Sequence, residues 1–454
     1  TRRLFLKSGA LALASVGVAP ALGPSFLRSV VFADEPTRGA GGTFGKKILV
    51  CIFMRGAVDG LSMLVPHGDA EYYKLRSTGA GGIALPRTGT GGVLDLDGMF
   101  GFHPALAPLL PLYKKGHLAP IHAVGSNHPT RSHFDAQDFM ETALPGDKGA
   151  QTGWLARTIS QCPQDTARLK EKGGAIRTVS MTAQMPRSLD GDGSALAIND
   201  LGAFGVGKTG ATPNRTRMAA MDSMPANGKA SGFEALYAGA VGDVLDGAVG
   251  DVLHGAGRET FDALKLLAGL DPNKYVPDNK ADYGRGRLGN SLRQIAQLIK
   301  ADVGLEIAFA EMGGYDTHVN QGASQGNLAR RLDELAGAMN GFWHDLGDRM
   351  DDVVVLTMSE FGRTARQNAN GGTDHGHGTA FLTLGGAVNG GKVVAKWPGL
   401  APEQLYERRD LAVTTDFRQI FGEVAAKHLK IRDLETVFPG ANLQKEGFRG
   451  VIRA

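Results

Sequence analysis

The sequence predicts an α/β domain of three layers, with a doubly wound, mostly parallel sheet between helices. Short runs of β-forming apolar residues recur along the chain, and their hydrophobicity is continuous rather than alternating. Such runs are typical of strands that are covered on both faces. Helical stretches separate the runs, and this strand, helix, strand order favours a doubly wound architecture.

The individual elements follow from local patterns. Six apolar runs predict strands, at residues 48–54, 118–124, 176–181, 305–312, 353–358 and 380–384. Three stretches predict helices, at residues 133–142, 287–301 and 328–346. In the last of these, apolar residues recur at three- and four-residue spacing while Arg and Asp occupy the other face, which indicates a helix packed on one side.

A segment of different composition interrupts this order at about residues 183–280. It is rich in Gly, Ala, Asn and Pro, and it contains the duplicated octets GAVGDVLD (239–246) and GAVGDVLH (247–254). Two copies are too few for a solenoid. We interpret the segment as a helical, Gly/Ala-rich cap or lid inserted into a single domain that spans residues 34–454.

The first residues have the pattern of an export signal. Arg2 and Arg3 precede a short apolar patch and a lysine, and an apolar run broken by two prolines follows at 9–27. This run is too short and interrupted for a stable membrane span. Small residues at 31–33 then offer a cleavage site. The order predicts a twin-arginine signal peptide at 1–33, the export machinery as a partner, and a periplasmic or secreted protein.

Charge and cysteine content exclude some classes of protein. Without the four basic residues of the predicted signal peptide, 45 basic residues face 46 acidic ones, so no broad attraction to nucleic acid is expected. The chain has two cysteines, Cys51 and Cys162. Cys51 lies in an apolar run and is predicted to be a buried thiol, and a single disulfide between the two is the alternative in an oxidising compartment.

Polar residues gather directly after four of the predicted strands. These clusters are RGAVDG (55–60), SNHPTRSH (126–133), GGYDTH (313–318), and SEFGRT (359–364) with TDHGH (373–377) close behind. Ligands of open α/β sheets bind outside the carboxyl ends of the strands, so we expect these clusters to meet at one edge.

The clusters contain residue types that bind first-row divalent ions. The candidate metal ligands are Asp59, Asp316, His318, Glu360, Asp374, His375 and His377. Carboxylates and imidazoles in this mixture suit Zn²⁺, Mn²⁺ or a similar ion. The alternative is a set of loop caps and salt bridges, since the same groups are common in tight loops.

The cluster at 126–133 adds candidate catalytic residues. Thr130 or Ser132 would lie at the start of the helix at 133–142, where free backbone N–H groups stabilise an anion. A hydroxyl beside a divalent cation could ionise and attack a phosphoryl or sulfuryl centre. Arg131 could bind the other oxygens of that group in a bidentate fork. The alternative for either hydroxyl is a helix cap.

Several motifs together resemble a known family. The segments RGAVDGL, SHFDAQDFMETA, TGWLAR, GGYDTH, SEFGRT and GGTDHG, with GGK and WPGL, run in order from about residue 50 to 400. They resemble the twin-arginine-exported family catalogued as domain of unknown function fifteen-oh-one. That family is similar to the alkaline phosphatase and sulfatase superfamily. The similarity implies an alkaline-phosphatase-like sheet and a divalent-metal site with a hydroxyl or modified-cysteine nucleophile.

The resemblance implies roles for individual positions. Asp59 is the acid nearest to the superfamily's first metal aspartate, and Asp316 with His318 resembles its Asp-and-His pair. The region 130–132 matches the position of the nucleophile. Asn127 stands where sulfatases have their cysteine, which argues against sulfatase-type chemistry.

The resemblance also has a gap at the fifth predicted strand. The superfamily has Asp-His-Gly there, whereas this chain has Glu360-Phe361-Gly362, and phenylalanine cannot bind a metal. The following segment at 373–376 resembles the Gly-Thr-Asp-His segment of the phosphomutase branch. That likeness implies His375 as the last ligand and Asp374 as a replacement.

Two functions are consistent with these patterns. The first is a metal-dependent hydrolase or transferase that acts on phosphate or sulfate esters, small or polymeric, with one or two divalent ions drawn from Zn, Mn, Mg or Ca. The second is a non-catalytic envelope binding or assembly protein that keeps the fold with a degenerate metal site. Phe361 is the main argument for the second.

Overall fold

A computed structural model describes residues 47–162, 176–202, 267, 270 and 272–453. The predicted signal peptide, the duplicated octets and most of the predicted insertion lie outside the described residues.

The elements of the described part follow in chain order. The strands are β1 (Ile48–Met54), β2 (Leu64–Val65), β3 (Leu94–Asp95), β4 (Gly101–Phe102), β5 (Leu118–Gly125), β6 (Thr178–Ser180), β7 (Leu196–Ala197), β8 (Ile307–Met312), β9 (Val353–Met358), β10 (Thr379–Gly385) and β11 (Thr415–Asp416). The α-helices are α1 (Gly60–Met63), α2 (Ala70–Leu75), α3 (Leu110–Lys114), α4 (His133–Thr142), α5 (Trp154–Gln161), α6 (Arg287–Lys300), α7 (Asn327–Leu346), α8 (Phe417–Glu423), α9 (Leu434–Val437) and α10 (Leu443–Glu446). Tighter 3₁₀ turns occur at Pro104–Leu109, Arg187–Leu189, Asp278–Lys280 and Gly347–Asp352, and a π-helical turn at Val424–His428.

Eight of these strands form one mixed sheet. Their order is β11-β5-β10-β9-β1-β8-β6-β7. Strand β10 pairs antiparallel with β5 and β9, and the other neighbouring pairs are parallel. Seven strands therefore run in one direction and β10 runs against them. The short strands β2, β4 and β3 form a separate antiparallel sheet.

The core lies on both faces of the large sheet. Successive side chains of a strand point to opposite faces, and β1 is buried along its whole length. Val50 belongs to the same apolar cluster as Leu292 of α6 and Leu332 of α7. Cys51, the next residue, belongs to the cluster that contains Phe417 of α8. Helices thus cover the sheet from both sides, which accounts for the continuous apolar runs in the sequence.

The predicted α/β class with a mostly parallel sheet is confirmed. All six predicted strands are present, with β6 and β8 shorter than their apolar runs. The sequence did not reveal the reversed direction of β10, nor two-residue strands such as β7 and β11. Two paired residues leave no periodicity in a sequence.

The two cysteines are free and buried. The disulfide considered from the sequence is therefore not formed, whereas the buried thiol predicted for Cys51 is confirmed. Burial raises the pKa of the Cys162 thiol to about 12. In the part of the chain that the structure describes, the helices lack the combination of length and apolar character that a membrane span needs.

A buried ion pair fixes the segment after β1. The Asp59 carboxylate, expected from the sequence to bind a metal, accepts bonds from both terminal nitrogens of Arg76, at 2.6 and 2.9 Å. Gln321 donates to the same carboxylate at 2.7 Å. Burial alone would raise the pKa of Asp59, but Arg76, Ser62 and Gln321 outweigh it and the pKa is lowered. Asp59 is thus an ionised carboxylate that stabilises the fold through a buried ion pair.

We predict that Asp59→Asn lowers the free energy of unfolding at pH 7 by about 3–5 kcal/mol, because the buried Arg76 charge loses its partner. Urea-induced unfolding measures this difference. The folded-state pKa of Asp59 lies below its usual 3.8, so the ion pair contributes stability above that value and loses it as the pH falls through the lower native pKa. The difference between variant and wild type should therefore shrink below about pH 4.

Asp352→Asn is the matched control, because Asp352 pairs with Lys47 at the surface and its side chain is 45% exposed. Exposed pairs contribute about 0–1 kcal/mol. An Asp59→Asn protein as stable as this control would contradict the assignment.

Candidate metal centre

One edge of the sheet gathers the polar clusters predicted from the sequence. The segments 55–60, 126–133, 313–318 and 359–364 follow the carboxyl ends of four parallel strands. The segment 373–377 precedes β10, and because β10 runs in the opposite direction it reaches the same edge.

Three imidazoles and one carboxylate converge at this edge. We call His133, Asp316, His318 and His375 the histidine–aspartate cluster. The Nε2 atom of His375 lies 3.0 Å from Nε2 of His133 and 3.0 Å from Nε2 of His318. Asp316 Oδ1 lies 3.0 Å from His318 Nε2 and 3.4 Å from His375 Nε2. Asp316 Oδ2 lies 3.6 Å from His133 Nε2.

The outer nitrogen of each ring faces an acceptor. His375 Nδ1 donates to the backbone carbonyl of Arg131 at 2.9 Å. His133 Nδ1 lies 2.8 Å from Glu360 Oε1, and His318 Nδ1 lies 3.2 Å from Asp374 Oδ1. A carbonyl or an ionised carboxylate only accepts, so we assign the ring proton to Nδ1 in His133 and His375. The lone pair of each of these two neutral rings then lies on Nε2, inside the cluster. Both ring nitrogens of His318 face carboxylates, Nδ1 that of Asp374 and Nε2 that of Asp316.

Glu360 stabilises the ring orientation of His133 from behind. Its Oε1 accepts bonds from Gly56 N–H and Gln137 Nε2, both at 2.8 Å, as well as from His133. Ser359 Oγ lies 3.2 Å from Oε2. Burial acts to raise the pKa of Glu360, but the bonds from His133, Gln137 and backbone N–H groups outweigh it and lower the pKa. The carboxylate is therefore ionised and saturated with donors.

Arg363 holds the loops of the cluster together. Its side chain is buried, and its guanidinium group donates to Asp316 Oδ1. The same group donates to four backbone carbonyls, those of Gly56, Ala57, Tyr315 and Thr373. The pKa of Asp316 is lowered because these bonds and the charge of Arg363 outweigh the effect of burial.

Gly56 allows the loops after β1 and β8 to approach. Its φ of 109° is a conformation that L side chains rarely adopt, and a Cβ atom there would lie 2.7 Å from the backbone nitrogen of Asp316. A side chain at position 56 would push Asp316 away from the three imidazoles of the cluster.

Phe361 forms the apolar floor of the cluster. Its ring centroid lies 4.9 Å from that of His133 and 5.2 Å from that of His375. Position 361 is therefore filled by a ring that packs against two imidazoles, and His133 contributes one of these imidazoles from the start of α4.

The predicted ligands fall into three groups. Asp316, His318 and His375 lie together in the cluster. Glu360 and Asp374 lie behind it, bound to His133 and His318.

Asp59 and His377 lie apart from the cluster. Asp59 is paired with Arg76, as described above. The His377 ring stacks on Tyr406 with 4.3 Å between centroids, and burial lowers its pKa to about 4. A buried neutral imidazole packed on an aromatic ring is a core residue.

The three predicted catalytic residues border the cluster without joining it. The Arg131 guanidinium binds Asp410 Oδ2 at 2.7 Å and Glu407 Oε2 at 2.6 Å. Its N–H groups are therefore not free to bind a substrate in a bidentate manner. The Thr130 hydroxyl accepts the N–H of Ser132 at 3.2 Å. Ser132 precedes α4 and is exposed, and its side chain makes no capping bond to the helix.

Sequence reasoning missed His133 and Arg363. Both belong to clusters that the sequence had singled out, at 126–133 and 359–364. His133 is the first residue of α4, directly after a strand-end loop, and that position is the signal that could have identified it. The fit of Arg363 among four carbonyls requires the tertiary structure.

The cluster has the dimensions of a coordination site. Donor atoms in a tetrahedral arrangement about 2.0–2.1 Å from a Zn²⁺ ion lie about 3.3 Å from each other. The distances of 3.0–3.6 Å in the cluster agree with this spacing. Within the described residues, His133, Asp316 and His375 form a group whose ligand atoms all lie within 4.8 Å. Imidazole donors favour Zn²⁺ or Fe²⁺ over Ca²⁺ and Mg²⁺, and a carboxylate such as that of Asp316 also suits Mn²⁺.

Comparison with known proteins bears on the second half of the chain. No curated protein matches. Residues 270–439 match the model of a family described as "Protein of unknown function (DUF1501)", a range that includes Asp316, His318 and His375 and excludes His133.

Proposed function

We propose that this protein is an exported metal-dependent hydrolase or transferase that acts on phosphate or sulfate esters. The divalent ion would be bound by His133, Asp316 and His375, with His318 beside them. One observation supports this most: the Nδ1 atoms of His133 and His375 face acceptors, so their Nε2 lone pairs turn towards each other beside Asp316.

Such an arrangement requires a positive charge inside it. Two unprotonated Nε2 atoms at 3.0 Å repel each other unless a proton or a cation lies between them. The bond to Glu360 raises the pKa of His133, whereas burial lowers that of His375. A divalent ion would displace any proton held between these two nitrogens.

The surroundings suit ester chemistry. When bound, a divalent ion would act as a Lewis acid towards an ester oxygen and help to activate a nucleophile. The side chain of Asp316 is 45% exposed and that of His133 24%, so a substrate can reach the cluster from solvent. The likeness to the alkaline phosphatase and sulfatase superfamily suggests a phosphate or sulfate ester, small or polymeric.

A non-catalytic binding or assembly protein is the second candidate. One observation favours it: within the described residues, no hydrogen bond links the Thr130 or Ser132 hydroxyl to the cluster. A nucleophile is normally activated by a base within hydrogen-bond reach. Both candidate functions include a bound metal ion, but only the hydrolase or transferase turns over a substrate.

We predict that His133→Ala and His375→Ala weaken Zn²⁺ or Mn²⁺ binding by more than the roughly 10–100-fold that loss of an outer-shell partner costs. Glu360→Gln, which keeps the shape but loses the charge behind His133, should fall within that 10–100-fold range. Isothermal titration calorimetry measures the dissociation constants. His344→Ala is the control, since His344 is exposed on α7. Equal metal binding by all four variants would exclude the site.

We predict that the metal-loaded protein cleaves at least one of a phosphomonoester, a phosphodiester and a sulfate ester, and that Asp316→Asn abolishes turnover. Chromogenic esters measure the rate. Thr130→Ala and Ser132→Ala test the hydroxyls: a loss of about 100-fold or more in kcat identifies the nucleophile, and unchanged rates indicate attack by water. A metal-loaded protein without turnover on any ester would favour the binding candidate.

We predict that replacing Arg2 and Arg3 with lysine retains the protein in the cytoplasm, because the paired arginines are the export address. Fractionation and immunoblotting of wild-type and variant cells measure the periplasmic share. Replacing Lys7 with arginine is the matched control and should leave export unchanged. Efficient export of the double variant would contradict a twin-arginine signal.

A further inference from the structure

We infer that the site holds one divalent ion and that Arg363 fills the place beside Asp316 that a second cation would take. The inference rests on the proposed metal site and states how many ions it binds. In two-metal enzymes the ions lie about 3.5–4 Å apart.

The Asp316 carboxylate contacts both the imidazoles of the cluster and the positive charge of Arg363. Its Oδ2 faces His133 at 3.6 Å, and its Oδ1 accepts a bond from the Arg363 guanidinium. The Nη1 atom of Arg363 lies 3.5 Å from His318 Nε2. A guanidinium group thus lies beside both Asp316 and His318, the two residues that a second ion at this place would share.

Arg363 cannot be displaced by a metal ion. Its side chain has no exposed surface, and its Nε atom donates to the carbonyl of Ala57 at 2.8 Å. Further bonds go to the carbonyls of Thr373 at 3.2 Å and Tyr315 at 3.3 Å. Moving the side chain would leave these buried carbonyls without donors, and buried unpaired polar groups are costly. The positive charge is therefore permanent at this position.

Other acids at this edge are neutralised by partners. Asp59 is paired with Arg76, and Glu360 is saturated by its donors. Asp410 lies between Arg131 and Arg409. Of the carboxylates predicted as ligands, Asp374 is the one besides Asp316 that keeps an exposed side chain, at 58%. One such carboxylate is too few for a second ion, which needs several oxygen or nitrogen ligands.

The arrangement assigns Arg363 an electrostatic role. Its N–H groups are engaged with carbonyls and Asp316, so it would act on a bound anion through its charge and not by contact. Arg363 is therefore a positioning residue. A bound ion and the Arg363 guanidinium, both beside Asp316, would together attract the anionic group of a substrate.

Ion counting on the purified full-length mature protein tests this inference. The protein is saturated with Mn²⁺, and native mass spectrometry gives the number of ions per chain while electron paramagnetic resonance shows whether they are isolated or coupled. We expect one ion per chain and the spectrum of an isolated Mn²⁺. Two ions per chain with an exchange-coupled spectrum would overturn the inference.

Two variants locate the counted ion. His375→Ala should lose it, and His344→Ala should keep it with the wild-type spectrum. An ion that survives His375→Ala lies elsewhere and overturns the inference. One ion per chain in a protein that cleaves no ester leaves the inference standing and rejects the hydrolase. Absence of any bound ion rejects both.

Discussion

The geometry of the site depends on the bonds of one buried guanidinium group. Arg363 donates to carbonyls in the loops that follow β1 and β8 and in the segment that precedes β10, and it binds Asp316 as well. Backbone carbonyls at strand ends are otherwise left without partners when loops leave a sheet. A single planar donor with five N–H groups satisfies several of them and fixes the distances between the loops.

Several charged residues at this edge of the sheet form ion pairs with each other. Asp59 pairs with Arg76, and Asp410 pairs with Arg131 and Arg409; the Arg131–Asp410 pair bridges distant segments of the chain. A buried charge is tolerated when it is paired and hydrogen-bonded, so each such carboxylate requires a nearby cation. The imidazoles of the cluster differ, because the Nε2 atom of His375 faces the Nε2 atoms of His133 and His318.

This division explains what the sequence could and could not predict. Continuous apolar runs located the strands, and the carboxyl-end rule selected the loops that meet, including those with Asp316 and His375. The rule does not distinguish an acid that faces the site from one that pairs with an arginine, and for this reason it predicts Asp59 as a metal ligand. The reversed direction of β10 depends on pairing between strands, which a single sequence does not encode locally.

The connection between β9 and β10 joins two neighbouring antiparallel strands, and it carries Glu360, Phe361, Arg363, Asp374 and His375. One contiguous stretch of chain therefore supplies the His375 imidazole, the Glu360 and Asp374 carboxylates behind the other two imidazoles, and the positive charge of Arg363. Under the proposed function, substitutions within this connection alone would alter ion binding without disturbing the hydrophobic layers beneath it.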